Sequence, residues 1–152
     1  MIEEAYVSFE VAKLLKEKGF DIPCQKVWTD NKQLLWSVCF MEGNSFVNNE
    51  DIPLVLNYEK WSDVKDAYLA PTQQMAMRWL REKYLMNTFI GAKVYKPESG
   101  KISGYSAYVW YKPKNNQGIC CYWVYPPQEQ ECWESYEDAY EAAIKYCLEN
   151  LI

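Results

Sequence analysis

Three segments of the chain repeat their apolar positions with the spacing of an α-helix. The first follows Ser8 and precedes Gly19, which predicts a capped helix over residues 9–18 that ends at the glycine. The second, APTQQMAMRWLREKY, has Thr72 as its candidate cap and an apolar stripe on one side. The third opens with SYED at residues 135–138, a pattern typical of a helix N-terminus, and runs to residue 152.

Between these helices, aromatic and β-branched residues are frequent and apolar positions alternate with polar ones. VWTDNKQLLW predicts a hairpin that turns at Asn31 and Lys32, and PLVLNY predicts a third strand over residues 53–58. A two-residue turn would place Cys24 opposite Cys39. After the second helix, strands are predicted over residues 87–96, 101–112 and 119–125, with PESGK and KPKNNQG as the turns.

The predicted order of elements is αβββαβββα. Runs of strands separated by single helices favour an α+β fold, with antiparallel sheet and the helices on one face. A length of 152 residues fits a single globular domain over residues 1–152. The polar segment MEGNSFVNNED, residues 41–51, is predicted to be a loop and the most mobile part of the chain.

The charge and the apolar content of the chain limit the classes of partner that it is expected to bind. The net charge is −5, and because phosphate backbones attract Lys and Arg, no nucleic acid is expected as a partner. The opening MIEEAYVSFEVAKLLKEKG lacks the basic and apolar regions of a signal peptide. No apolar run reaches the roughly 18 residues of a membrane span. We therefore expect a cytoplasmic protein without a membrane partner.

Three blocks of the sequence resemble small uncharacterised proteins carried by bacteriophages and integrated mobile elements of gut bacteria. The blocks are YVSFEVAKLLKEKGFDIPC, APTQQMAMRWLRE and SYEDAYEAAIKYCLENLI, which coincide with the predicted helices. The resemblance implies an origin in a mobile element. It brings no activity and no site residues with it.

The sequence offers few groups for catalysis. It has no histidine, which excludes Ser-His-Asp and Cys-His machinery, and its six cysteines form no Cys-x-x-Cys motif. We expect reduced, unmetallated cysteines and no cofactor. The acids of residues 129–141 fit the start of a helix, and a carboxylate pair for hydrolysis is the less favoured interpretation. No catalytic residue is assigned, and an enzyme is the less favoured class.

The stretch GYSAYVWYKPKNNQGICCYWVYPP is the most aromatic part of the chain. A turn centred on Asn115 and Asn116 pairs Tyr108 with Trp123, so Trp110 and Trp123 share one face of the sheet. Pairing through PESGK adds aliphatic residues to this face, and we predict that it is the core. We then expect Trp110→Ala to cost about 3–5 kcal/mol of stability. The added aliphatic residues are Ile90, Ala92 and Val94.

The opposite face of the predicted sheet is the candidate site for a ligand or partner. One interpretation is that the N-terminal helix and hairpin cover it as a second half of the core. The other is an exposed platform that holds an anionic or aromatic ligand by charge and stacking. Because Lys93 is expected to keep water on this face, Tyr105, Tyr111 and Tyr122 are expected to be at least partly accessible. The candidate residues are Lys93, Tyr95, Tyr105, Tyr111 and Tyr122.

These observations lead to three hypotheses about function. The leading one is a non-enzymatic accessory protein of a mobile element that acts by binding a protein partner. The alternative is a protein that binds or sequesters a small, nucleotide-like anion on the tyrosine face. The third is a hydrolase with paired carboxylates. A homodimer would also cover an exposed aromatic face.

Overall fold

A computed structural model describes residues 4–36, 46–56, 63–94, 98, 100, 102–115, 118–127 and 130–152. The chain divides into two compact units, Met1–Thr72 and Gln73–Ile152. Each unit holds a three-stranded antiparallel sheet together with helices. The α+β class and the predicted order of helices and strands are therefore confirmed. The single globular domain over residues 1–152 stays a prediction.

The first unit opens with helix α1, Phe9–Glu17. Its first turn is capped by Ser8, whose hydroxyl accepts a hydrogen bond from the Val11 N–H at 3.3 Å. Gly19 follows the helix with a φ of 82°, a conformation that side chains other than glycine disfavour. The cap and the stop thus lie where the sequence predicts them.

The sheet of the first unit has the strand order β2-β1-β3. Its strands are β1, Lys26–Thr29, β2, Leu34–Trp36, and β3, Ala67–Leu69. Helix α1 contacts β3, and Lys16 on α1 forms an ion pair of 2.9 Å with Asp66. Burial alone would raise the pKa of Asp66, but the hydrogen bond from Lys16 and the nearby N–H of Ala67 hold that pKa below its ordinary value.

The turn between β1 and β2 differs from the prediction by one residue. The N–H of Thr29 donates to the carbonyl of Gln33 at 2.9 Å, which leaves a three-residue turn that ends at Lys32 with a φ of 60°. The register shifts accordingly, and Cys24 pairs with Val47. The predicted partner, Cys39, lies outside the described residues.

The third strand of the first unit also lies elsewhere than predicted. Residues 53–58 do not form a strand where the structure describes them, because Ile52–Leu56 is the short helix α2. The strand is β3. A short apolar run such as PLVLNY does not distinguish a strand from a helical turn by its period. Of the predicted mobile loop over residues 41–51, residues 41–45 lie outside the described part, and Val47 is buried.

The second unit comprises helix α3, Gln73–Tyr84, three strands and helix α4, Tyr136–Asn150. The strands follow one another in the order β4-β5-β6 and are Met86–Val94, Ile102–Tyr111 and Cys120–Val124. The Ser135 hydroxyl caps α4 by accepting a hydrogen bond from the Asp138 N–H at 3.0 Å. All three predicted strands and the predicted cap are confirmed, with strand ends that differ by a few residues.

The core of the second unit lies between α4 and one face of this sheet. Helix α4 contacts all three strands, and α3 contacts both β4 and α4. The side of α4 that faces inward is made largely of small and aliphatic residues. The buried residues on α4 are Ala139, Ala143, Ile144, Cys147 and Leu148, and those on the sheet are Met86, Ala107, Val109 and Val124.

The pairing of β5 with β6 follows the predicted register, with Tyr108 opposite Trp123. The pairing of β4 with β5 does not. In the structure Phe89 lies opposite Tyr108, and Ile90 lies opposite Ala107. Since directly paired residues point to the same side of a sheet, Ile90 belongs to the face of Ala107 rather than to that of the tryptophans.

The predicted core face is therefore wrong. Trp110 is 49% exposed and Trp123 is 41% exposed, whereas Val109 and Val124, which alternate with them, are buried. The physical reason is that side chains alternate between the two faces, so an error of one residue in register exchanges the faces. Trp110→Ala is now expected to cost less than the 3–5 kcal/mol estimated for a core ring.

The segment that precedes α4 pairs with β5 next to Gly104, through an antiparallel bridge between Tyr105 and Trp133. The N–H of Tyr105 donates to the carbonyl of Trp133 and the N–H of Trp133 donates to the carbonyl of Tyr105, both at 2.8 Å. A Cβ atom at Gly104 would lie 2.7 Å from the Trp133 carbonyl oxygen and would collide with the Cys132 sulfur. The pairing therefore depends on the absence of a side chain at this position.

We predict that Gly104→Ala destabilises the second unit by about 1–3 kcal/mol, because Cys132 and Trp133 must move away from β5. Gly91→Ala in β4 is the matched control, since its Cβ would meet only the Phe89 ring at 3.2 Å, and a change below about 1 kcal/mol is expected. Urea denaturation followed by circular dichroism measures both changes. Equal effects of the two substitutions would contradict the close pairing.

Candidate functional site

The sheet face turned away from α4 carries a continuous group of aromatic side chains. Phe89 on β4, Tyr108 on β5 and Trp123 on β6 are directly paired across the three strands. Trp110 lies two positions along β5 from Tyr108, and Tyr125 follows β6 on the same side. We call these five residues the aromatic face.

The rings of the aromatic face lie beside one another. The Phe89 and Tyr108 centroids are 6.3 Å apart, and those of Tyr108 and Trp123 are 6.5 Å apart with ring planes 21° from parallel. Trp123 and Tyr125 approach to 4.6 Å. Aromatic neighbours at these distances stabilise one another, so the rings gain contact energy although part of their surface stays in contact with water.

The exposure of these rings is high for residues of their size. The exposed fractions are 59% for Phe89, 49% for Trp110, 41% for Trp123 and 74% for Tyr125. With about 200 Å² per ring residue, this amounts to on the order of 500 Å² of aromatic surface. A patch of roughly 300–600 Å² is the largest that a typical monomer exposes, and such patches are often functional.

Charge is scarce on this side of the sheet. Of the residues in β4, β5 and β6, Lys93 alone carries a formal charge. Its side chain is 45% exposed and its Nζ lies 3.6 Å from a carboxylate oxygen of Glu131. The ion pair reduces the net charge at this end of the face. The surface is thus close to neutral on a chain whose net charge is −5.

The predicted site residues do not lie together. Lys93 pairs with Gly104 and shares the side of the aromatic face, whereas Tyr105, Tyr111 and Tyr122 lie on the opposite side. The remaining candidate, Tyr95, lies outside the described residues. The prediction that Lys93 and the three tyrosines share one face is wrong, because the β4–β5 register differs by one residue from the predicted one.

The face with the three tyrosines is the one that packs against α4. The Tyr105 ring contacts Tyr136 at a centroid distance of 6.0 Å, and the Tyr122 ring contacts Tyr146 at the same distance. Tyr105, Tyr111 and Tyr122 are each half-buried, so their expected partial accessibility is confirmed. Negative charge on the neighbouring Cys120 raises the pKa of the Tyr122 hydroxyl. The Tyr105 and Tyr122 rings therefore pack against α4 at the edge of the core.

The pattern of the sequence thus predicts an aromatic sheet but assigns its exposed and buried faces the wrong way round. One signal was available in the sequence: the other face alternates Ala107 and Val109, small residues that allow a helix to approach closely. The tryptophans on the opposite face of the sheet are too large to allow such a close approach.

The acids near the start of α4 do not converge on one point in the described part of the chain. Glu131 pairs with Lys93, and Glu141 accepts a hydrogen bond of 3.2 Å from the buried amide of Gln73. Glu137 and Asp138 lie exposed in the first turn of α4. No group of three or more potential metal ligands comes together among the described residues.

Five cysteines lie in the described residues, and all of them are free thiols. Cys24 and Cys147 are buried, and burial raises the pKa of each thiol to about 12. Cys121 is exposed and lies directly opposite Trp110, on the side of the aromatic face. Its neighbour Cys120 points to the other side, as the alternation of strand residues predicts.

Comparison with protein-family models, with curated proteins and with solved structures finds no match to this chain. None of the helices in the described ranges has the length and apolar character that crossing a lipid bilayer requires.

We predict that iodoacetamide at pH 8 modifies Cys121 well before Cys24 and Cys147. Exposure favours the first reaction, and for the buried pair a pKa of about 12 leaves almost no thiolate, which is the reactive form. Peptide mass spectrometry over a time course measures the order. In denaturant the difference should vanish, and early modification of Cys147 in the folded protein would contradict the structure.

Proposed function

We propose that this protein is a non-enzymatic binding protein whose aromatic face docks onto a protein partner. The observation that carries the proposal is the exposure of Phe89, Trp110, Trp123 and Tyr125 on one side of a three-stranded sheet. Tyr and Trp dominate the energetics of protein interfaces, since they offer large contact areas at a small cost in side-chain entropy.

The size of the aromatic face supports a protein partner over a small molecule. A stable protein interface buries about 800 Å² on each side, with an apolar centre and a polar rim. The aromatic face is large enough for such a centre. Lys93, Glu131 and Asn87 are exposed polar residues at its margin and would contribute to the rim.

The near neutrality of the aromatic face indicates what kind of surface it accepts. A strongly acidic or basic partner surface would gain little there, because only Lys93 on the strands is charged and it is already paired. An apolar patch or groove with neutral hydrogen-bonding groups is the complementary surface. In keeping with the resemblance of its helices, we place this accessory protein in a mobile element and in the cytoplasm.

The two other hypotheses have less support. The tyrosines proposed to hold a nucleotide-like ligand are half-buried against α4, and Lys93 lies on the other side of the sheet. For a hydrolase, the described acids form separate contacts rather than a pair across a cleft.

The proposal is tested with Trp110→Lys and Trp123→Lys. A partner is first identified by affinity capture with the wild-type chain, and its affinity is then measured with purified proteins. We expect each substitution to weaken binding by about 30-fold or more, the loss expected at an interface hot spot. Because both rings are exposed, circular dichroism should show an intact fold.

Trp36→Lys is the matched control. Trp36 belongs to the first unit, is 49% exposed like Trp110, and is not one of the residues of the aromatic face. Its substitution should leave the affinity within about twofold. A partner that binds Trp110→Lys and Trp123→Lys as tightly as the wild type would overturn the proposal. A homodimer that Trp123→Lys dissociates would assign the face to a second copy of this chain and overturn the proposal of a different partner.

A further inference from the structure

A second candidate site lies within the second unit, on a different part of its surface. A cavity of about 410 Å³ opens where α3 ends, where β5 ends and where α4 ends. Its volume falls within the range of about 300–1,000 Å³ that is typical of small-molecule sites. The aromatic face contributes none of its residues, so the two sites are independent.

Three lysines line this cavity: Lys83 from the last turn of α3, and Lys112 and Lys114 from the segment after β5. None of them forms an ion pair with a side-chain carboxylate of the described residues, and no acidic residue lines the cavity. Lys83 instead lies over the rings of Trp79 and Tyr84, at 5.0 and 5.4 Å. On a chain whose net charge is −5, this is a local concentration of positive charge.

The simplest structural explanation is that the lysines offset the negative ends of the helix dipoles of α3 and α4. The positive charge of the lysines exceeds what the helix ends can offset. Each helix end contributes about −0.5 of a charge, and the three lysines contribute three whole positive charges. A net charge of about +2 remains, and about +1 if the backbone of Ile152 ends in a carboxylate. The cavity is therefore electropositive after the helix ends are taken into account.

The other side of the cavity is apolar and aromatic. Tyr84, Leu85 and Tyr111 contribute to it, together with Pro113 and Leu151. Leu85 has a φ of 57°, in the left-handed region that favours glycine, and occupies the position directly after α3 where glycine commonly ends a helix. Its side chain is nevertheless 64% exposed.

Leu85 therefore costs free energy in its backbone and recovers little by burial. Residues with a strained backbone are found preferentially at active sites and ligand-binding sites. Leu85 at the cavity mouth is a second observation, independent of the lysines, that points to a bound molecule with an apolar surface.

We propose that this cavity binds a small organic phosphate with a planar ring, of the size of a nucleoside monophosphate. Several ammonium groups suit a phosphate, which carries up to two negative charges, whereas planar carboxylates are best recognised by the fork of an arginine, and none lines the cavity. The rings of Tyr84 and Tyr111 and the Leu85 side chain offer surfaces for the planar part of the ligand.

In the experiment, the full-length protein is titrated with AMP, GMP, CMP and UMP. Binding is measured by isothermal titration calorimetry and by the changes in amide NMR shifts. We expect at least one of them to bind with a Kd below about 1 mM and to shift the resonances of Leu85, Tyr111 and Lys112. The free nucleoside and inorganic phosphate, tested separately, should each bind at least tenfold more weakly. The affinity should fall as salt is added.

Two variants separate a ligand site from a structural role. Lys112→Ala with Lys114→Ala should weaken binding by about 10-fold or more, as expected when a charge-assisted hydrogen bond is lost. Lys65→Ala, an exposed lysine of the first unit, is the control and should leave binding unchanged. Leu85→Gly should raise the Tm by relieving the left-handed strain and yet weaken nucleotide binding.

The proposal is overturned if none of the four nucleotides binds up to about 10 mM, a Kd too weak to be of use at cellular concentrations. It is also overturned if the double lysine variant lowers the Tm and leaves nucleotide binding unchanged, since the lysines would then serve the helix ends alone. Binding that Leu85→Gly and the lysine variant both leave intact would place the ligand elsewhere and have the same consequence.

Discussion

The alignment of β4 against β5 determines which side chains of the second unit are buried. Because successive residues of a strand point to opposite faces, the pairing of Ile90 with Ala107 places every neighbour on one side or the other. With this pairing, Ala107, Val109 and Val124 meet the small and aliphatic side of α4. A shift of one residue would pair Ile90 with Tyr108 and so place Trp110, rather than Val109, on the side of Ile90.

The two faces of the sheet differ because their rings differ. On the side of α4, tyrosines lie at the edges of the core, where a ring can be half-buried while its hydroxyl reaches water. On the other side, tryptophan and phenylalanine leave apolar surface exposed. Water penalises that surface by roughly 25 cal/mol for each Å², so a partner that covers it gains free energy. The fold of the sheet and the proposed docking of a partner thus follow from the same alternation.

Most of the elements were predictable from local patterns. Local patterns placed the helix caps at Ser8 and Ser135 and the stop at Gly19 correctly. They also placed the three strands of the second unit correctly. The third strand of the first unit was misplaced, because PLVLNY is too short for its period to separate a helix from a strand.

Registers were less predictable, since they depend on turns whose geometry the sequence leaves open. The β5–β6 pairing, which follows from a predicted turn centred on Asn115 and Asn116, was predicted correctly. The β4–β5 pairing has an irregularity between Lys93 and Val94, and the sequence PESGK contains no signal that predicts it. The exposed aromatic surface therefore lies on the face that was predicted to be the core, and the ligand-binding role of the predicted residues stays a prediction. The lysine-lined cavity was not predicted, because it assembles the ends of three elements that are distant in sequence.

The most direct test of this organisation is the stability of two lysine variants at neighbouring positions of β6. Trp123→Lys places a charge on the exposed aromatic face, and Val124→Lys places it against the core, where Val124 is only 6% exposed. Urea denaturation of Trp123→Lys should give a free energy of unfolding within about 1 kcal/mol of the wild type, as for other exposed positions. Val124→Lys should lose several kcal/mol or fail to fold, because an unpaired buried ammonium is costly. A stable Val124→Lys together with an unfolded Trp123→Lys would contradict the assignment of the two faces.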